Sequence, residues 1–457
     1  MESIQLKKND RKEIFGWLIY DWANSAFYTT VIGVLLGPYL TSLAQASVGE
    51  NGVIFSLGFL GAVTAKNLFP LSITLSVFCQ VLFLPALGAV ADYSNLKKRL
   101  MTVFCYIGVA ASGLLFFVTG DLYVLGSVLL VIANLSFGAA NIFYNAYLVD
   151  LTTEDRRDFV SSYGFASGYV GGIIMLIANI LLVQNAESFG LTTGMAVRLS
   201  LLAASIWWGA FALITFTLIK PRGAVKALPE GSNLISTGFR ELGKTLGELK
   251  RLRYSAQFLA ACFCYNNGIQ TVITSASVFL AQELFVSRGL EASQSFLIGI
   301  FLVSQISALV GAISFERLAR IIGTKYTLLI SLVIWILIVI YAYGFLETTT
   351  QAWVMAVFIG IVLGSSQALS RSLYSQMIPK GREASFFGLY EISEKGTSLI
   401  GSLVFGIVVG ITGSFRQAIL SMILFFAIGI IILIFTDTKR AIHEAGNHTP
   451  EEAAHAS

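Results

Sequence analysis

The feature that most constrains this chain is a series of apolar segments, each about 20 residues or longer, set along its whole length. A helix rises 1.5 Å per residue, so about 20 apolar residues cross the ~30 Å hydrocarbon core of a bilayer. Twelve segments meet this test: 14–43, 68–91, 100–119, 122–149, 159–183, 195–219, 254–282, 293–315, 326–346, 352–378, 385–411 and 416–436. They lack strand alternation, and backbone in lipid must satisfy its own hydrogen bonds, so each is expected to be a helix. Composition agrees. Of 457 residues, 56% are apolar and 12% charged, with a mean hydropathy of +0.76. An average soluble domain is about 25% charged. The net charge of +4 is nearly balanced and gives no basic field for nucleic acid.

Lys and Arg gather on one set of loops. Lys7, Lys8, Arg11 and Lys12 lie there, as do Lys97, Lys98 and Arg99, Arg156 and Arg157, and most basic residues of 220–253. Opposite loops carry Lys66, Arg198, Arg288 and Arg416. This bias puts both termini in the cytoplasm of a multi-pass protein, the bacterial inner membrane being the expected location. The first apolar stretch is too long for a signal-peptide core and is read as a retained span. The polar stretch divides the chain. An N-terminal six-helix bundle is expected over 1–219, a cytoplasmic central loop over 220–253, a C-terminal six-helix bundle over 254–436 and a cytoplasmic tail over 437–457. Within the loop, Phe239, Leu242, Leu246 and Leu249 share one helical face, with Arg240, Lys244, Lys250 and Arg251 elsewhere. That pattern reads as an amphipathic helix on the inner leaflet, or as a linker tethering the halves.

Polar residues inside apolar spans are costly and mark pathways or helix contacts. Asp21 shares a helix face with Asn24, Ser25 and Tyr28. The fourth span carries Asn134, Asn141 and Asn145, the seventh Asn266, Asn267 and Gln270, the tenth Gln367 and Arg371, and the eleventh Glu391, Glu394 and Lys395. These stripes are expected to face one central cavity. Arg371 and Glu391 are equally far from Gly381, so an antiparallel hairpin places them at one depth. Arg371 is expected to pair with Glu391 or Glu394, Glu391 with Lys395 one turn on, and Asp21 to be the carboxylate left over. Gly164, Gly168 and Gly172 read as a packing stripe. At the cytoplasmic end, Asp92 stands before Lys97, Lys98 and Arg99, a candidate latch between helix ends.

His443, His448 and His455 all lie in the tail, expected to be solvated, and the membrane part holds no imidazole. That argues against haem, di-iron and histidine-based acyl-transfer chemistry, and no metal or cofactor is expected. Cys79, Cys105, Cys262 and Cys264 lie in apolar runs, which suits neither a disulfide framework nor a zinc site. No Walker loop points to ATP drive.

The stretch Gly88 to Arg99 resembles the loop 2–3 signature of the major facilitator superfamily, with Asn95-Leu96 where a Gly is usual. The related second-half loop, Arg317 to Lys325, has Arg320 where an acid is expected, which weakens any latch there. Five further motifs resemble the branch of bacterial permeases related to the vacuolar amino-acid effluxer of fungal autophagy. They are Tyr20 to Phe27, Phe143 to Tyr147, Gly164 to Gly172, Tyr265 to Thr271, and Ser370-Arg371-Ser372 with Phe386 to Gly388. Asn267 stands where many relatives have an acid, so no proton site is carried over there. The resemblance implies an all-α protein of twelve transmembrane helices in two pseudo-symmetric six-helix bundles. It implies a secondary transporter of small polar solutes, amino acids first among them.

The combined expectation is a permease with alternating access. Its substrate and proton pathway would use Asp21, Asn24, Tyr28, Asn141, Asn145, Asn267, Gln270, Arg371, Glu391, Glu394 and Lys395, and its gate Asp92, Lys97, Lys98 and Arg99. Its partners would be a small-molecule substrate, the lipid bilayer and coupling protons. The alternatives are a membrane-embedded enzyme, against which the lack of membrane histidines and the short loops count, and a transporter-like receptor, for which the tail after Asp437 is too small an output domain.

Overall fold

The computed structural model describes residues 7–50, 52–56, 62–92, 96–222, 234–291, 293–395 and 398–456. Asp10 starts α1 (Arg11–Ala26), its carboxylate accepting the backbone N–H groups of Lys12 and Glu13. The helix continues through a π-helical segment, Phe27–Leu35, into α2 (Leu36–Val48), so the first span runs Arg11–Val48. The π-turns have a local cause. Thr29 donates its hydroxyl to the Ser25 carbonyl at 2.8 Å, and the β-branched run Thr29 to Ile32 fits an α-helix poorly. A short antiparallel pair, β1 (Val53–Ser56) and β2 (Ala62–Thr64), precedes α3 (Leu68–Ala91). Then come α4 (Leu96–Leu114), α5 (Tyr123–Leu151), α6 (Arg157–Gln184) and α7 (Thr193–Leu218). After α8 (Leu234–Arg251) follow α9 (Arg253–Leu284), α10 (Gln294–Ile322), α11 (Thr324–Gly344) and α12 (Thr349–Gln376). The chain ends with α13 (Glu383–Lys395), α14 (Ser398–Thr412), α15 (Phe415–Ser421), α16 (Ile423–Phe435), α17 (Thr438–Glu444) and α18 (Pro450–Ala456).

Among the described residues, eleven helices are long and apolar enough to cross a membrane. The eleventh expected span is described as α13 and α14, with a shorter apolar stretch over Ile400–Thr412. In the first half, α1 packs on α6 and α7, and α5 on α3 and α4. In the second, α12 packs on α10 and α11, and α9 on α16. Each half buries an aromatic nucleus: Phe27 lies 5.1 Å from Trp208, and Trp335 stacks on Phe426 at 5.7 Å. The halves meet where α13 crosses α3 and α5, and where α6 crosses α10 and α12.

One expectation needs correction. The tail is not simply solvated: Ala441, Ile442, Asn447 and Thr449 are buried. Asn447 donates to the carbonyls of Gln376 and Ile378, both at 2.8 Å, satisfying acceptors that the end of α12 leaves open. The central stretch carries a helix that lies along α3, with Thr237, Glu241 and Thr245 buried and Phe239 and Leu246 exposed.

Candidate functional site

A cavity of about 370 Å³ lies between the halves. Asp21, Asn24, Tyr28, Asn141, Asn145, Gln270, Arg371, Glu391 and Glu394 all line it, so five helical stripes converge. Away from this polar floor the walls are mostly apolar, with Ile32, Val77, Leu280, Leu297, Ala342 and Met355, and with Asn134, Ser304 and Gln305 set among them. Asn267 does not line it. Its Oδ1 accepts the Gly401 N–H at 3.0 Å and its Nδ2 donates to the Phe263 carbonyl at 2.7 Å. Asn267 thereby ties α9 to α14 away from the cavity lining. The side chain of Lys395, and with it the expected Glu391–Lys395 pair, falls outside the described residues.

The floor is tied together across the halves. Tyr144 donates to Asp21 Oδ2 at 2.6 Å, and Arg371 Nη1 stands 3.4 Å from the same oxygen. Arg371 also donates to Asn145 Oδ1 at 3.3 Å, to Ser161 Oγ at 3.0 Å and to the Ser161 carbonyl at 2.8 Å. The rings of Trp17, Tyr144 and Phe165 lie 4.9, 5.5 and 4.1 Å from its guanidinium carbon. Arg371 belongs to the second half, yet each of these partners belongs to the first. The expected pairing is therefore corrected: Arg371 joins Asp21, which is not left over. Glu391 Oε1 accepts from Asn145 at 3.1 Å, so Asn145 stands between the arginine and the glutamate. Asn24 donates to Asn141 at 3.0 Å, and Tyr169 to Gln367 across the halves at 2.9 Å.

Sequence reasoning missed Tyr144, Ser161, Phe165 and Tyr169. Tyr144 follows Asn141 by three residues and was in reach of the same periodicity. Tyr169 sits inside the glycine stripe. A Cβ on Gly164 would lie 2.7 Å from the Trp17 ring and 2.9 Å from both Asp21 Oδ2 and Arg371 Nη2. The stripe thus packs α6 on α1 and also makes room for the ion pair.

The end that carries the termini is sealed. Asp92 accepts the backbone N–H groups of Ala384 and Ser385 at 2.9 and 2.8 Å and the Ser385 hydroxyl at 2.5 Å. A carboxylate from the first half thereby caps α13 of the second, where the helix dipole favours negative charge. Gly88 lets the helices meet, since a Cβ there would fall 2.2 Å from the Ala384 carbonyl oxygen. Lys97 pairs with Asp150 at 2.8 Å and approaches Glu383 at 3.8 Å. The other two gate candidates do not join this cluster: Lys98 donates to the Ile219 carbonyl at 2.7 Å, and Arg99 is exposed. In the second half, Arg320 pairs with Glu316 within its own helix. Thr324 nevertheless donates to Asp158 of the first half at 2.5 Å, so a contact exists where the missing acid argued against one.

Among the described residues there is no group of three or more His, Cys, Asp or Glu placed to hold a metal. The site offers two carboxylates beside Asp21, one caged guanidinium, amides and phenols, a set suited to binding and proton exchange.

Known proteins share this architecture. The chain covers 93% of its length on the structure of the major facilitator superfamily transporter FucP in the outward conformation, with a TM-score of 0.68 at 16% identity and 98% of that chain covered. A bacterial homologue of the iron transporter ferroportin, in the outward-facing state, gives 0.60 at 14% identity, covering 93% of this chain and 98% of that one. In sequence, the MFS-type transporter YxiO of Bacillus subtilis is 32% identical over 97% of this chain and all of its own. Autophagy-related protein 22 of Yarrowia lipolytica is 27% identical over 85% of this chain and 78% of its own. The family model described as "Vacuole effluxer Atg22 like" matches residues 9–446. With twelve spans in two bundles, the chain belongs to the Atg22-like family of major facilitator transporters.

Proposed function

We propose that this secondary transporter moves amino acids or similar small zwitterions, coupled to protons, by rocking its two halves about the cavity. The observation that carries the reading is the floor. A carboxylate, Asp21, and a guanidinium, Arg371, stand side by side under an apolar chamber, complementary to an ammonium and a carboxylate on one small molecule. The termini face the cytoplasm in this reading, so the sealed end is the inner one. Asp21 sits where one proton decides whether Arg371 keeps an anionic partner. Neutral Asp21 loosens a strut between the halves, and ionised Asp21 restores it. Units 1–219 and 254–436 are the moving bodies, joined by 220–253.

Uptake into proteoliposomes, with and without a pH gradient, tests the reading. Labelled amino acids are expected to accumulate with the gradient. Asp21→Asn is expected to abolish accumulation and retain counterflow exchange. Loss of binding as well as exchange in Asp21→Asn would assign Asp21 to the substrate ammonium, and full accumulation by that variant would overturn both roles.

A further inference from the structure

Helix α8 turns a polar side toward the protein. Buried Glu241 and Thr245 hold Arg382, from the connection between α12 and α13. Arg382 donates to Thr245 Oγ1 at 2.7 Å and stands 3.7 Å from Glu241 and 3.2 Å from Glu248. The helix also lies against α3: a Cβ on Gly238 would be 2.7 Å from the Ala86 carbonyl oxygen. Ala86 precedes the last residue of α3 by five positions, about 7 Å along the axis. The start of α8 therefore sits level with the final turns of α3, a helix long and apolar enough to cross a membrane, whose end is expected near the lipid headgroups.

What α8 leaves outside fits that depth. Phe239 and Leu246, seven residues apart and so on one face, are each 44% exposed. Arg240, Lys250 and Arg251 are exposed around them, while the acid Glu241 is turned inward. We propose that this face docks on an anionic lipid leaflet, with Phe239 and Leu246 in the acyl boundary and Arg240, Lys250 and Arg251 on the headgroups. The docked helix then ties the leaflet, through Arg382, to the connection that leads into the capped start of α13. The inference rests on the membrane-spanning fold and is independent of the solute carried.

The test uses the full chain in vesicles, with Cys79 and Cys264 replaced by Ala and a fluorophore placed at Leu246→Cys. Vesicles are phosphatidylcholine alone or phosphatidylcholine mixed with phosphatidylglycerol. A nitroxide high on the acyl chain is expected to quench the label at least twofold more than aqueous iodide does. That quenching should rise with phosphatidylglycerol and fall with salt. In Arg240→Gln/Lys250→Gln, two exposed changes that leave Glu241 and Arg382 in place, the phosphatidylglycerol dependence is expected to drop at least twofold. Free quenching by iodide, or equal nitroxide quenching in both lipid mixtures, would overturn the proposal. So would protection that appears only at high protein-to-lipid ratio, which marks a second copy as the occupant.

Discussion

Removing one member of the Asp21–Arg371 pair should reveal how much the cavity floor depends on it. The side chains are 13% and 4% exposed, so neither charge has ready access to solvent. Arg371→Gln deletes the contact with Asp21, the two bonds to Ser161, the bond to Asn145 and the packing of three rings. Breaking one side of a buried pair costs ~3–5 kcal/mol because the remaining charge is uncompensated. At about 1.4 kcal/mol per tenfold, that is roughly 100- to 4,000-fold in the folding equilibrium. Asp21→Asn should be the milder single change, since the amide oxygen still accepts from Tyr144. Both singles strand a charge, and the double variant Asp21→Asn/Arg371→Gln strands none. The double variant is therefore expected to lose less than the sum of the singles, with an interaction energy of about 1–3 kcal/mol. The assay is a double-mutant cycle on the unfolding midpoint of purified protein in one detergent. Additivity within about 0.5 kcal/mol would refute the view of the pair as the coupled unit of the floor.

Gly164→Ala should weaken the same floor without touching its charges, costing ~1–3 kcal/mol by overpacking against Trp17; unchanged thermal stability and uptake would show that α6 yields freely. Asp92→Asn removes a charge-assisted cap from α13 and should raise cysteine labelling at the sealed end, with a loss of ~1–3 kcal/mol from that closed state; Thr324→Val, which loses one bond to Asp158, should raise it less. Asn447→Ala leaves the Gln376 and Ile378 carbonyls without their donor and should cost ~1–3 kcal/mol, read by thermal unfolding against a truncation before Thr438. Asn267→Ala should lower stability by ~1–3 kcal/mol while leaving substrate affinity unchanged, because it loses a buried bond to Gly401 outside the cavity.

The spans were legible because crossing lipid demands a length of apolar helix that no other structure needs. The floor residues were legible because an intramembrane polar stripe must face a partner or water, and period 3.6 brings Asp21, Asn24 and Tyr28 to one side. Pairing was not legible in the same way. The hairpin argument gave Arg371 and Glu391 a common depth, but depth leaves direction around the helix open. Arg371 points across the interface to α1, α5 and α6, which no local spacing encodes. Asn267 shows the same limit, since an amide on an apolar helix looks alike whether it faces water or the backbone of a neighbouring helix. The π-helical segment and the folded tail rest on side chain to backbone bonds, from Thr29 and Asn447, whose partners are fixed only once the chain is folded.

These placements make the two seals unequal. In the first, a loop acid, Asp92, reaches backbone donors at the start of α13, gaining three hydrogen bonds and the favourable end of a helix dipole. In the second, the acid is Asp158 in the first turn of α6, and the facing start of α11 offers one hydroxyl, from Thr324. The absence of an acid at Arg320 therefore reverses the roles of donor and acceptor and leaves a weaker contact rather than none. Arg371 adds a tie deeper in, where its ion pair and its described hydrogen bonds reach Asp21, Asn145 and Ser161 of the first half. Other ties also cross between the halves, from Asn145 to Glu391, Tyr169 to Gln367 and Arg157 to the Ser375 carbonyl, and among the tied carboxylates Asp21 and Glu391 line the cavity. On the proposed coupling, a proton or a substrate in the cavity would act on Asp21 directly, and parting of the outer seals would follow release of that strut.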